Sequence, residues 1–489
     1  MREFTPNLAT ICDYVAHFAQ TKPDDEAAVD DQNRITWKAL EDAASSYASA
    51  LIARGIKPGD RVAMLTHPNV PFLACFLGVL RAGAIWVGLN PKYTRSELEY
   101  VLEKAEPKIV LGTRALDPAG TLGAGAIYLD DLAHRETFFK ESAEDQWLEL
   151  DPEAPALMVF TSGSSGAPKA ALLAQKGLVQ AAQKRVTAWQ HQGWRTLMNL
   201  PINHIGGVGD LCCTTLIAGG MLAFMERFDA LGSLQVIERE RLTLWFQVPT
   251  QMQLSLSQPS ADTYDLSSLK AVIWSGAPAP RALVEDLAQR FPGKLGTDYS
   301  MTESIGAVSL TPLMDDVETL TKTVGWPVPG RAFNLRDGEI TIKDDAMFAG
   351  YLGLSADETF EADGAFRTGD LGEIDAQGRL RITGRAKDMF KSGGYNVYPR
   401  EVETALEAHD GVAMAAVIAM PDPIYNEVGH AFVLPNPNDS LSAADLDAFV
   451  RERLANYKVP KKITISSDLP LLPIGKIDKK ALKRAEDIS

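Results

Sequence analysis

The feature that most restricts the fold is a strand–helix alternation running from Arg61 to Leu111. Arg61-Val62-Ala63-Met64-Leu65 is a short apolar run of strand length. It is followed by a helical apolar stretch from Val70 to Gly83 and a second short run, Ile85-Trp86-Val87. Thr94-Arg95-Ser96-Glu97 has the spacing of a capping box opening another helix, and Lys108-Ile109-Val110-Leu111 closes the series as a strand. Such a rhythm has few solutions, because parallel strands need a crossover and the crossover helix then covers the sheet. Upstream, Asn7 is expected to cap a helix with Leu8, Ile11, Val15 and Phe18 on one face, and Thr36 a second helix stopping at Gly55. The middle, from Leu157 to Thr323, keeps the alternation, with Leu269 to Trp274 as a buried strand. Ala115 to Gly125, rich in Gly and Ala, is expected to be a surface excursion.

The texture changes after Gly325. Gly338 to Lys343 and Arg379 to Ile382 alternate and are separated by Asp-Gly and Gln-Gly turns, which predicts a small antiparallel β unit. From Lys387 onward the order is helix (Arg400 to Ala408), strand (Ala413 to Ala419), strand (His430 to Leu434) and helix (Ala443 to Leu454). The fold class expected is therefore α/β: a large N-terminal domain of parallel-rich sheets flanked by helices plus a small β unit, then a small mobile α+β C-terminal domain. At roughly 150 residues per domain, 489 residues correspond to about three domains or subdomains.

Charge and cysteine usage narrow the function. With 48 Lys and Arg against 64 Asp and Glu, the formal net charge is −16, the wrong sign for a nucleic-acid binder or a ligand of anionic membranes. The two longest apolar candidates for a membrane span are short: Val70 to Leu80 stops at Arg81, and Leu211 to Met225 ends at Glu226. Both are better placed in the core. Cys12, Cys75, Cys212 and Cys213 make no metal or C-x-x-C spacing and are too few to staple such a chain, which points to a reducing compartment. Met1 to Pro6 has no apolar stretch of the signal-peptide kind, so a cytoplasmic protein is expected.

The stretch that carries most chemistry is Thr161-Ser162-Gly163-Ser164-Ser165-Gly166-Ala167-Pro168-Lys169, directly after the strand Ala156 to Val159. Glycines bring backbone N–H groups close to phosphate oxygens, hydroxyls donate further bonds, and Lys169 adds charge. It is not a Walker A loop, whose order of Gly, Lys and Ser/Thr is absent. A Ser/Gly linker shares the composition but has no reason to follow a buried strand or to end in Pro-Lys.

This loop resembles the phosphate loop of the adenylate-forming superfamily, which includes acyl-CoA synthetases, luciferases and peptide-synthetase adenylation domains. The rest of the chain carries similar signatures in the same order: Pro201 to Gly207, Tyr299-Ser300-Met301-Thr302-Glu303, Val324 to Gly330, Gly338-Glu339-Ile340 with Gly350-Tyr351, Arg367-Thr368-Gly369-Asp370, Gly384 to Asp388, Lys391 to Glu401, and Gly475-Lys476-Ile477. Each alone is weak; the ordered set spans nearly the whole chain. It departs from the family at Ser165 and Leu472 (usually threonine), Ala170 and Ser300 (usually glycine) and Lys479 (usually arginine). Only Leu472 changes the chemistry near the active lysine, by removing a hydroxyl.

The resemblance implies ATP, Mg²⁺ and CoA as reactants and assigns roles. Thr161 to Lys169 would hold the phosphates, with Gly276, Ala277, Asp298, Tyr299 and Ser300 around the nucleotide. Thr302 would contact the α-phosphate; Glu303, with Thr161, would hold Mg²⁺. Asp370 would accept the ribose hydroxyls beside Arg385. Lys476 would stabilise charge in adenylation, and His204 would gate the acyl pocket. Taken singly, Glu303 is an ordinary acid, Asp370 a turn aspartate, Lys476 an exposed lysine and His204 a core histidine; the order of the motifs favours the functional roles. Lys387 matches the hinge, after which residues 1–386 and 387–489 form separate domains. Lys391, Ser392, Gly393, Gly394 and Tyr395 would line a pantetheine channel, and Lys458 and Lys461 would meet CoA phosphates.

The acyl pocket is expected between His204, Ile205, Val208, Gln247, Ala277 and Tyr299, with an apolar carboxylic acid, aromatic or short-to-medium chain, as substrate. Asn203-His204 replaces the Phe-Asp pair that holds an amino group in peptide-synthetase domains, and Asp210 lies too far along to substitute, so an amino acid is disfavoured. The alternative to a CoA ligase is a stand-alone adenylation enzyme loading a carrier protein. Retention of Thr161, Glu303, Asp370 and Lys476 disfavours a catalytically dead nucleotide binder. Either way a monomer or homodimer is expected.

Overall fold

The alternating segments close into two large sheets whose central strands are buried on both faces. The computed structural model describes residues 6–140, 148–161, 168–436, 439, 441–472 and 475–487. One sheet has seven strands, ordered Gly350–Tyr351, Lys169–Ala174, Pro155–Thr161, Ile85–Leu89, Arg61–Leu65, Ile109–Gly112 and Ile127–Tyr128. From Pro155–Thr161 onward the pairings are parallel; Lys169–Ala174 turns back antiparallel beside it. The second has nine strands, six of them mutually parallel, with Gly306–Leu310 and Trp326–Pro327 added antiparallel at one edge and Arg34–Thr36 at the other. Strands covered by helices on both faces need apolar residues at every position rather than at alternate ones. Ile85–Leu89 and Ala271–Trp274 are accordingly buried throughout.

The crossover helices are set by local signals. Asn69 Oδ1 accepts from Phe72 N at 2.8 Å and opens Val70–Arg81, and Thr36 caps Trp37–Ala53. These two helices pack together and share a buried pair in which Arg81 Nη1 and Nη2 each lie 2.6 Å from an oxygen of Glu41. The first helix is Ile11–Thr21, and its cap is Thr10 rather than Asn7. Thr10 and Asp13 exchange reciprocal bonds (2.9 and 3.2 Å), a closed box that outcompetes a single cap one turn earlier, while Asn7 accepts from Gln183. The excursion at 115–125 is anchored from inside. Buried Asp117 accepts from the Tyr128 hydroxyl at 2.6 Å and from the backbone N–H groups of Thr121 and Leu122.

After Trp326–Pro327 comes the antiparallel unit, a four-stranded sheet of Ala332–Arg336, Glu339–Lys343, Phe366–Ile374 and Leu380–Arg385. The chain leaves it through a single turn, Ala386–Asp388, and enters a separate five-stranded sheet at Phe390–Ser392. That sheet, built on the long pair Val412–Asp422 and Asn426–Pro435, carries the helices Pro399–Glu407, Ala443–Arg451 and Lys479–Asp487. Among the described residues no helix is long and apolar enough to cross a membrane, and all four cysteines are buried free thiols. Leu211 to Met225 is core, but it starts inside an eight-residue π-helix, Gly206–Cys213, which sequence periodicity did not reveal. π-turns recur at functional sites, and this one begins two residues after His204.

Candidate active site

Tyr299, Asp370, Arg385 and Lys476 come from three parts of the fold and lie together, and the turn holding Thr302 and Glu303 directly follows the strand of Tyr299. The strand Leu295–Met301 ends in a tight turn, Thr302–Ser304, which buries Thr302 and Glu303. Ile305 leaves that turn at φ +50°, a left-handed conformation that costs a β-branched residue about 1–3 kcal/mol. The turn is held from several sides. Buried Arg331 donates to Ser304 O at 2.6 Å, Ser304 Oγ accepts from Met301 N, and Phe348 N donates to Glu303 O at 3.0 Å. The Glu303 carboxylate accepts from the Tyr351 hydroxyl at 2.6 Å.

Asp370 sits on Phe366–Ile374 with its side chain buried. Tyr299 Oη donates to one oxygen and Arg385 Nε to the other, both at 2.7 Å. Two charge-assisted bonds fix the plane of the carboxylate while leaving lone pairs for further donors. Thr368, two residues earlier, accepts from Asp370 N at 3.1 Å and stiffens the turn.

Lys476 reaches this group from the C-terminal part of the chain, outside its five-stranded sheet. A short hairpin, Leu471 bridged to Ile477 with Leu472 N donating to Lys476 O at 2.7 Å, presents it to the cleft. Gly276, at φ +82°, makes room: a Cβ there would stand 3.2 Å from Lys476 Cε and 3.6 Å from its Nζ. Burial, reinforced by the nearby positive Arg385 and opposed by Asp370, lowers the ammonium pKa to about 8. His204 is half-buried; desolvation, with the Lys476 charge adding to it, pushes its pKa down to about 4, so the ring is neutral at pH 7. Its Nδ1 accepts from Gly206 N at 3.0 Å, which leaves the proton on Nε2.

Of the phosphate loop, Ser162, Gly163, Ser164, Ser165 and Gly166 lie outside the described residues; its two ends do not. Thr161 closes the strand Pro155–Thr161, Lys169 opens the return strand, and the two pair in register. Lys169 Nζ stands 4.9 Å from the centre of the Tyr351 ring. The phosphate-loop ends and Glu303 are thus joined through one tyrosine. Glu303 suits a hard cation: its second oxygen takes no hydrogen bond among the described residues, and no cluster of three or more His, Cys, Asp or Glu is present among them. One carboxylate plus substrate phosphates and water is how Mg²⁺ is commonly held.

Other predicted residues are placed elsewhere. Asp298 points away from Tyr299 into the core, where it pairs with buried Arg185 at 3.0 Å; Arg185 also holds Asp210 at 2.7 Å. Strand alternation explains this, since neighbours face opposite sides. The same alternation turns Gln247 toward Asn199, to which it donates at 2.5 Å, and puts Phe246 in the cluster containing Ile205 and Val208. Phe246, which sequence reading did not single out, lies 5.9 Å from the Arg185 guanidinium by its ring centre. Ser300 lies 3.4 Å from Ser275 by their hydroxyls, and Ala277 is half-buried next to Gly276.

Lys391, Gly393, Gly394 and Tyr395 lie exposed on the hairpin Phe390–Ser392/Tyr395–Val397, with Ser392 buried; among the described residues no hydrogen bond or ion pair joins them to Lys476 or Asp370. Both glycines have positive φ (+56° and +85°). Tyr395 stacks on Tyr457 with ring centres 4.6 Å apart, Lys458 pairs with Glu401 at 2.6 Å, and Lys461 lies 5.0 Å from the Tyr425 ring. Lys387 is exposed in the turn between the two sheets.

Residues 15–352 match the family model of the AMP-binding enzymes, and residues 401–476 match that of the AMP-binding enzyme C-terminal domain. The chain is 34% identical to 3-[(3aS,4S,7aS)-7a-methyl-1,5-dioxo-octahydro-1H-inden-4-yl]propanoyl:CoA ligase of Rhodococcus jostii (strain RHA1), covering 94% of this chain and 95% of the relative. It is 32% identical to a feruloyl-CoA synthase of an Amycolatopsis species, over 92% and 94%. Among solved structures, ATP-bound MatB from Rhodopseudomonas palustris superposes with a TM-score of 0.86 at 28% identity, over 98% of this chain and 99% of that one. With both domain models matched and the cleft assembled from their motifs, this chain belongs to the AMP-binding, adenylate-forming enzymes, in their acyl-CoA synthetase branch.

Proposed function

We propose that this protein ligates an apolar carboxylic acid to CoA in two steps on one site. In the first, a carboxylate oxygen of the acid attacks the α-phosphorus of ATP, the bond to the β-phosphate bridging oxygen breaks, and pyrophosphate leaves with the electron pair. In the second, the CoA thiolate attacks the acyl carbonyl carbon and AMP departs. The observation that carries the reading is the placement of Lys476 against Gly276, with His204, Arg385 and Asp370 in its electrostatic neighbourhood.

Each side chain then has a role. Charge grows on the phosphoryl oxygens as the carboxylate attacks, and the Lys476 ammonium and Thr302 hydroxyl stand ready to meet it. Asp370, fixed by Tyr299 and Arg385, accepts the ribose hydroxyls. Neutral His204 directs its Nε2 proton to the incoming carboxylate. Glu303 and Thr161 would hold Mg²⁺, which when bound would neutralise charge on the ATP phosphates. Ile205, Val208, Phe246 and Ala277 give the acid an apolar pocket. The ring-bearing acyl groups that the two relatives' names describe favour a ring-bearing acid as its occupant.

Residues 1–386 act as the adenylation domain and 387–489 as a domain that turns about Lys387. The exposed glycine hairpin supports this, because it lies apart from the cleft in the orientation that seats Lys476. All groups named come from one chain, so a monomer suffices and a homodimer is compatible. Buried free thiols suit the cytoplasm. A pyrophosphate-release screen over carboxylic acids, with CoA, with a carrier protein and with neither, tests the reading. Release that responds to an apolar acid and runs to thioester only with CoA supports it; thioester formation only on the carrier protein replaces CoA as the acceptor.

A further inference from the structure

Gly350-Tyr351 is a motif to which sequence reading gives no task, and the fold places it between the end of the phosphate loop and Glu303. The pair forms an edge strand antiparallel to Lys169–Ala174, with Gly350 opposite Leu172 and Tyr351 opposite Ala171. Ala349 N donates to Leu172 O and Leu352 N to Ala170 O, both at 2.8 Å, so the register is locked on either side of the tyrosine. That register sets the phenol ring beneath Lys169, whose Nζ is 4.9 Å from the ring centre, and edge-on to Phe348 at 4.9 Å. The hydroxyl donates to Glu303 Oε1 at 2.6 Å.

We propose that Tyr351 is a positioning residue for the metal ion of MgATP: its hydroxyl ties down one oxygen of Glu303 so that the other faces the cation. The inference rests on the assignment of Glu303 to Mg²⁺. A carboxylate free to swing would lose orientational freedom each time it bound the ion; one already fixed by a neighbour does not, and loss of such a partner weakens metal binding about 10–100-fold. Tyr351 touches neither the acid nor the reacting phosphorus in this scheme and acts only through Glu303.

The test is calorimetric titration of the full-length protein with ATP, in Mg²⁺ and in EDTA, without acid substrate, for the wild type, Tyr351→Phe and Glu303→Gln. Phenylalanine keeps the ring under Lys169 and against Phe348, so the melting temperature and the affinity in EDTA should stay at wild-type values. The Mg²⁺-dependent gain in ATP affinity should fall about tenfold. An unchanged gain in Tyr351→Phe, or equal weakening with and without Mg²⁺, overturns the proposal. Glu303→Gln separates the two layers. If it retains the full gain, the metal assignment itself fails; if it loses the gain while Tyr351→Phe keeps it, only the positioning role fails.

Discussion

Lys476 is the side chain proposed to stabilise charge in adenylation, and its altered pKa makes that proposal testable by pH. Because burial lowers the pKa to about 8, the ammonium is mostly protonated at pH 7 and loses its proton as pH rises through 8. The kcat/KM for adenylation should therefore fall above pH 8. The kcat profile should break at higher pH, since bound phosphates stabilise the charged form. Lys476→Arg should move the fall to much higher pH; a wild-type profile flat to pH 10 would contradict a catalytic ammonium. Lys476→Ala should cost about 3–4 kcal/mol in adenylation, hundreds-fold in rate, while thioester formation from supplied acyl-AMP largely survives. Single-turnover assays of the two half-reactions measure this. Sequence could nominate Lys476, Asp370 and Glu303 because the motifs that carry them are ordered and local. It could not show that Asp298 and Gln247 turn away, because which face of a strand meets the pocket depends on the packed sheet.

The best test of an element-level claim is the buried pair joining the helices Trp37–Ala53 and Val70–Arg81. Arg81→Met would leave the Glu41 carboxylate buried without its partner and should cost about 3–5 kcal/mol. Adding Glu41→Leu should restore most of that loss, since an apolar pair of similar volume has no charge to desolvate. Chemical denaturation of the two single variants and the double variant measures the coupling; an additive double variant would mean that the pair contributes little. Both helices were legible from periodicity and caps, as were the strands between them. The π-helix Gly206–Cys213 was not, because its glycines and cysteines carry no helical signature. Nor was the start of the first helix, where two caps three residues apart competed and the reciprocal Thr10–Asp13 box prevailed.

At the scale of the whole molecule, Lys476 and the glycine hairpin both belong to the C-terminal part of the chain, yet among the described residues only the lysine packs against Gly276. If both serve one reaction, this part has to turn, and Ala386–Asp388 is the one turn that separates it from the preceding sheet. Lys387→Pro fixes φ near −65° and restricts Ala386 as well. It should keep adenylation, provided that φ suits the present orientation, and lose most thioester formation; an unchanged second half-reaction in a folded variant would rule out a pivot there. The two-sheet architecture and the change of texture near Gly325 were readable in advance, because alternation and turn chemistry are local. The relative placement of the two ends was not, since it depends on contacts between residues hundreds of positions apart. The central claim, an acyl-adenylate formed by direct attack on the α-phosphorus, is tested most directly by isotope transfer. An apolar acid substrate labelled with ¹⁸O in its carboxylate is converted with MgATP and CoA, and the nucleotide and phosphate products are analysed by mass spectrometry. The account predicts AMP carrying one ¹⁸O together with unlabelled pyrophosphate; ADP with labelled orthophosphate would contradict it.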